Sequence, residues 1–574
     1  MRTILSIGTL CLVVLARPSE IAHYDLRCDL EPEKSHMHVS VDVTPPTSQV
    51  KAGKLSFHLA TAMGSPEVSV YVSGHPTPVQ ASKGADEDRD HEWIIQIPPN
   101  ADSPTRLHVD CASVATSSFV FNLGPEGCFA CSQTVSWYPT FEDVRSEGEM
   151  TFTTPSDYVV KATGQQLSGS NGRWVFKADV PSFFAFAAAR YVVTHIDSKI
   201  PITIYCLKPR DLSKIYADKC SRILEYLPKL FGKYPFPDFS VIETPSPQSR
   251  KAGFSGASLQ GFMFADSPSM DAPFNLAYYA HEMSHQWWGN LIDHKGDKGS
   301  MMLDEGLAQF GSLNAVEAIE GSKMADLYRT TGYPGYSDRQ CAVGGLCLMA
   351  AGFDHPLSSL PKAYQLGYHE IGNSRGFLTY WTIAGQIGRE RFANGLKALT
   401  TKHAWSSITW EDFLAEVNKA AGGHAQALLS QWLDRREPPL LWATHERRNG
   451  RTLITVHQAA PFYKLSIPVE ILFADGRKVW REIALDSAST GFEMAGSVSD
   501  VKIDPNFEVF HSTPELKAKA EALVYVTRAK LDDINGDYKK ERADCNEGLT
   551  HVTKPDRYGV EAELKSMLSK LKSP

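Results

Sequence analysis

The sequence predicts a multidomain α+β protein, and three observations carry that prediction. Alternating apolar and polar residues broken by Gly, Pro and Asp clusters run from Ala22 to about Ile196. Apolar residues at helical spacing take over near Leu212 and continue to about Leu433. Strand-like alternation then returns ahead of a last helical stretch. At 574 residues, with 43% hydrophobic and 22% charged side chains, the chain can build several cores and lacks the composition of a disordered protein.

Taken in order, Arg2 precedes an apolar run over residues 4–15, and Val14 and Ala16 stand at the small-residue positions of a cleavage site. A signal peptide over residues 1–16 is expected, and with it a secreted or periplasmic location. About 12 apolar residues fall short of the roughly 20 that span a bilayer, so no stable membrane insertion is expected once the leader is removed. Nine cysteines would remain, an odd number; Cys341 with Cys347, and Cys128 with Cys131, could close short disulfide loops in an oxidising compartment. The absence of any Asn-x-Ser/Thr sequon fits a bacterial exported protein.

Residues 17–198 read as a β-sheet domain, with strands near 38–43, 93–97 and 158–162 and a buried strand at 183–189 that stops at Arg190. Residues 199–438 read as a largely helical domain. It opens with the stripe Ile215, Cys220, Ile223, Leu224, Leu227 and Leu230, ahead of Tyr234-Pro235-Phe236-Pro237. Residues 439–511 read as a small β-sandwich, with strands at 452–458, 465–473 and 478–485 and the turn signal Asp475-Gly476. Residues 512–574 form a short helical tail, started by a capping box at Ser512, Pro514 and Glu515. No motif marks that tail, so a structural cap is expected and a protein partner stays unknown. A net charge of -8 without a basic run excludes a nucleic-acid partner on electrostatic grounds.

The chemistry concentrates at His281-Glu282-Met283-Ser284-His285. On a helix, residues four apart turn through about 400° and rise about 6 Å, so both imidazoles leave one face within reach of one metal. Two borderline nitrogen donors suit Zn²⁺. Glu282, offset by about 100°, points beside that metal, where it can take a proton from the attacking water and later hand it to a leaving amine. An open catalytic site needs a third protein ligand, and Glu305, at the start of Glu305-Gly306-Leu307-Ala308-Gln309-Phe310, is expected to supply it. Asp304 is the rival, with one methylene less reach.

The segment from His281 to Asn290, Leu303-Asp304-Glu305-Gly306, and Phe231-Gly232-Lys233-Tyr234-Pro235-Phe236 resemble the gluzincin zinc aminopeptidases, in a bacterial-type form. Trp137-Tyr138-Pro139, residues 376–388 with Arg391-Phe392, and the strands of residues 452–503 extend the likeness over nearly the whole chain. The resemblance implies a thermolysin-like catalytic domain over 199–438, one Zn²⁺ per chain, and removal of residues from the amino ends of peptides.

Three departures qualify it. The gap from His285 to Glu305 is one residue longer than in the animal enzymes. The family's GxMEN motif is matched by Gly256-Ala257-Ser258-Leu259-Gln260, which puts Leu259 where a glutamate would receive the substrate's ammonium. Gly256 and Ala257 could still bind a peptide through their backbone. Asn373 stands where the family places the tyrosine that donates to the oxyanion, and nearby Tyr368 is expected to replace it. An alternative is a catalytically weak relative that keeps the zinc fold as a peptide-binding or interaction module, and epoxide hydrolysis is a lesser one.

Overall fold

The structure, a computed structural model, describes residues 20–86, 89–118, 120–211, 213–245, 256–361 and 366–571. The expected signal peptide at 1–16 lies outside the described residues.

Period-two burial organises the first region. The strand Glu20–Glu31 buries alternate residues from Ala22 to Leu30 and is central in an eight-stranded sheet, parallel to Val144–Thr153 and antiparallel to His36–Thr44. Beside it, Cys128–Cys131 pairs with Ala185–Ala189 in a four-stranded sheet. Trp137, fully buried, donates its indole N–H to the Phe184 carbonyl at 2.9 Å and fills the space beneath. All nine described cysteines are free and buried, which corrects both expected disulfides. Cys128 and Cys131 are three apart on one strand, a spacing that sends their side chains to opposite faces. The Cys341 sulfur instead caps the helix Ala342–Leu348, accepting from the Gly344 amide.

A five-stranded sheet follows. Val192–Ile196 is antiparallel to Ile202–Cys206, which runs parallel to Phe239–Thr244 and then Phe262–Asp266; Gly256–Leu259 closes the sheet as an antiparallel edge. The sheet thus takes in residues 192–196, ahead of the boundary expected at 198. Helices Ser213–Phe231, Leu276–Ser284 and Leu307–Glu320 share one large core with this sheet, in which Leu227, Met283, Trp287 and Leu313 are wholly covered.

The small sandwich comprises two three-stranded sheets, with Leu465–Phe473 central in one and Arg451–Gln458 in the other. Arg329, with no exposed side-chain surface, ties the helical region to the segment after the sandwich. It donates to the Asn506 carbonyl and pairs with Glu508 at 2.7 Å and Asp326 at 2.6 Å. The tail holds helices Pro514–Ala522, Val524–Asn535, Tyr538–His551 and Val560–Lys570. Its cap is Thr513 rather than Ser512: the Thr513 hydroxyl accepts from the Leu516 amide at 3.2 Å. Lys530 bridges Asp338 at 2.7 Å and Glu563 at 2.8 Å, latching the tail to the loop before Ala342. Among the described residues no helix is long and apolar enough to cross a membrane.

Candidate active site

Asn275 starts the helix Leu276–Ser284 by accepting from the Tyr278 amide, and every residue of that helix is buried. His281 lies in its last turn and His285 is its C-terminal cap, so the expected i, i+4 pair faces one point. Their Nε2 atoms are 3.2 Å apart. Glu305 arrives on a π-helical turn, Met302–Gly306, that leads into Leu307–Glu320. Its Oε2 lies 3.4 Å from His281 Nε2 and 3.9 Å from His285 Nε2.

These distances fit a metal. Ligands at about 2.0–2.1 Å in a tetrahedral site stand about 3.3 Å from one another, and the donor atoms of His281, His285 and Glu305 all lie within 4.8 Å of one another. Two imidazole nitrogens facing each other at 3.2 Å would oppose their lone pairs without a cation between them. Asp304 does not belong to this group. Its Oδ1 lies 3.0 Å from His285 Nδ1, which also faces the Trp288 carbonyl at 3.0 Å, so both turn Nε2 inward. The corresponding Nδ1 of His281 is buried with no partner among the described residues.

Glu282 lines the same cleft and is 8% exposed. Burial pushes its carboxyl up from the ordinary range, with His281 and His285 opposing and Glu305 adding to the rise. Behind Glu305 sit two residues that the sequence reading did not assign to it. Asn373 donates its amide to Glu305 Oε2 at 2.9 Å, and His369 Nε2 lies 3.2 Å from Glu305 Oε1. Asn373 rides on a second π-helical turn, Gly372–Gly376, packed against the turn that carries Glu305. Such turns concentrate at functional sites because they re-aim a side chain that a regular helix would carry elsewhere.

Tyr368, the expected oxyanion donor, is not among the residues that line the cleft. Its hydroxyl meets His355 Nε2 at 3.2 Å and its ring packs on Phe353. The reason is angular: on the helix Leu366–Ile371 the next residue, His369, faces Glu305, and Tyr368 is rotated about 100° from it. Leu259 is likewise outside the cleft, 2% exposed and packed in a cluster with Phe262 and Phe264. Gly256 and Ala257 do line it, on the edge strand. The cleft, about 1510 Å³, also draws walls from Gln133 of the β domain, from Tyr336 in the loop after helix Ser322–Thr331, and from Ile534 and Asn535 of the tail. No sequence signal marked Tyr336, since its place depends on how that loop folds back over the helix Leu276–Ser284.

A helix-borne His-Glu-x-x-His with a glutamate from the next helical element, beside a mixed sheet whose edge strand has no further partner among the described residues, is the arrangement of a gluzincin-type metallopeptidase fold. Residues 274–432 match the peptidase family M1 domain. It is 22% identical over 319 residues to a probable aminopeptidase 2 of Sulfurisphaera tokodaii, a match covering 51% of this chain and 37% of that protein. It is 21% identical to the mitochondrial aminopeptidase 2 of Saccharomyces cerevisiae, over 67% of this chain and 39% of the yeast protein. Among solved structures, aminopeptidase A of Legionella pneumophila, in complex with aspartic acid, superposes with a TM-score of 0.65 at 15% identity, covering 97% of this chain and 68% of that one. The matches to those two named relatives span less than half of each relative's length.

Proposed function

We propose that this chain hydrolyses peptide bonds as a zinc-dependent, aminopeptidase-like metallopeptidase. The observation that carries the reading is Glu282 beside the His281, His285 and Glu305 group in one cleft. Those three residues would hold one Zn²⁺, which when bound supplies a Lewis acid that acidifies water and polarises a carbonyl. The chain's own groups do the rest. Glu282 accepts a proton from the attacking water and carries it to the departing nitrogen. Gly256 and Ala257, on a sheet edge that pairs with no further strand among the described residues, align an extended peptide by main-chain hydrogen bonds. Export to a secreted or periplasmic location is proposed from the leader pattern alone.

The test uses matched peptides with free, acetylated and internally quenched ends, each with and without a zinc chelator. Chelator-reversible cleavage of the free-amine peptide supports the reading. A zinc-loaded protein that binds the peptides and cleaves none of them overturns it in favour of a peptide-binding module, the second reading, which Leu259 packed into the core favours.

A further inference from the structure

Among the described residues three tyrosines line the cleft, Tyr278, Tyr333 and Tyr336, and they differ in what their hydroxyls do. Tyr333 donates to Glu320 Oε2 at 2.9 Å. Tyr278 belongs to the helix of His281, and its hydroxyl abuts the edge strand: a Cβ on Gly256 would come within 2.2 Å of it. Tyr336 makes ring contacts and a backbone hydrogen bond, but its hydroxyl has no partner among the described residues.

The position of Tyr336 follows from its loop. Gly332 at φ 97° and Gly335 at φ 74° turn the chain in conformations that L side chains rarely adopt, and they bracket Tyr333 and Pro334. Lys530 of the tail holds Asp338, two residues beyond Tyr336. The Tyr336 ring then packs edge-on against Tyr278, centroids 6.4 Å apart, one helical turn before His281 and Glu282. A second edge contact, with Tyr328 at 6.5 Å, supports it from behind.

We propose that Tyr336 is the oxyanion donor of this enzyme, its hydroxyl hydrogen-bonding the substrate oxygen that gains charge as water attacks. The proposal rests on the reading of the chain as a peptide hydrolase. In that reaction the water oxygen bonds to the peptide carbon, its proton passes to Glu282, and the carbonyl pair moves onto oxygen. When that pair returns, the C–N bond breaks and the Glu282 proton goes to nitrogen. Tyr336 keeps its own proton throughout and donates only a hydrogen bond. Burial, and then the charges of Tyr328, Glu282, Glu305 and Glu370, hold its phenol well above the usual range, which suits a group that must donate and not ionise. The two nearer candidates in sequence are committed elsewhere, Asn373 to Glu305 and Tyr368 to His355.

The test compares the zinc-loaded wild type with Tyr336→Phe, which removes one oxygen and keeps the ring packing. Turnover should fall about 10² to 10³-fold with KM and zinc content nearly unchanged. A second reading needs no turnover: calorimetric affinity for a phosphinic dipeptide analogue, whose tetrahedral oxygen mimics the charged state, should fall by a similar factor. Affinity for the matching product dipeptide should hold. Equal turnover and equal analogue affinity in the two proteins overturn the assignment while leaving the hydrolase reading intact. A loss found in Tyr368→Phe instead moves the role there and also overturns it. A wild type that neither cleaves peptides nor binds the analogue overturns the hydrolase reading and this inference together.

Discussion

Asn373 and Glu305 are 68 residues apart and joined by a 2.9 Å hydrogen bond from amide to carboxylate, each carried on its own π-helical turn. The position that a tyrosine would take in the family is therefore not vacant. Asn373 is 1% exposed. Asn373→Tyr should lower stability by about 1–3 kcal/mol through overpacking and should not raise activity. Asn373→Ala should weaken zinc binding about 10 to 100-fold, since outer partners orient the ligating carboxylate. Metal titration against a competing chelator, with thermal melts, checks both.

The ligand assignment has its own test. Glu305→Ala should abolish stoichiometric zinc, whereas Asp304→Asn should retain it with affinity reduced about 10 to 100-fold, because Asp304 acts on the metal only through His285. Tight zinc in Glu305→Ala with loss in Asp304→Asn would reverse the roles.

Glu282→Gln should keep the fold and the metal and lose nearly all turnover, since an amide cannot accept the water's proton. Normal peptide cleavage by this variant, with zinc confirmed by elemental analysis, would refute the general-base role.

Arg329→Ala should cost about 2–4 kcal/mol, as the buried guanidinium is removed from Asp326 and Glu508 and from beneath the Trp381 ring. The loss is moderated because Glu508 is 40% exposed and can regain water. Chemical denaturation measures it, and a change below about 0.5 kcal/mol, the size expected of ordinary surface substitutions, would show that the tie is ornamental.

Local patterns explain what the sequence disclosed. His281 and His285 are four apart on one helix, so their convergence is a property of helical geometry alone. The strands at Arg451–Gln458, Leu465–Phe473 and Lys478–Leu485 follow from period-two burial in the same way. What stayed hidden depends on contacts between distant segments. A π-helical turn shifts the phase of every following residue, which is why the facing of Asn373 and Glu305 escaped a reading that counts residues at a fixed 3.6 per turn. Tyr368 falls outside the cleft lining for a related reason: chemistry suggested a phenol, but the helix face toward Glu305 belongs to His369. Tyr336 reaches the cleft by a loop fold that no periodicity encodes.

Ile534 and Asn535 close one wall of a cleft whose chemical groups were laid down far earlier in the chain, and Lys530 fastens that wall to Asp338. During synthesis the ribosome therefore releases the histidines and Glu282 well before the enclosure around them exists. The finished cleft appears only after residue 535 has emerged and the tail has docked, so maturation of the site is ordered in time by chain position.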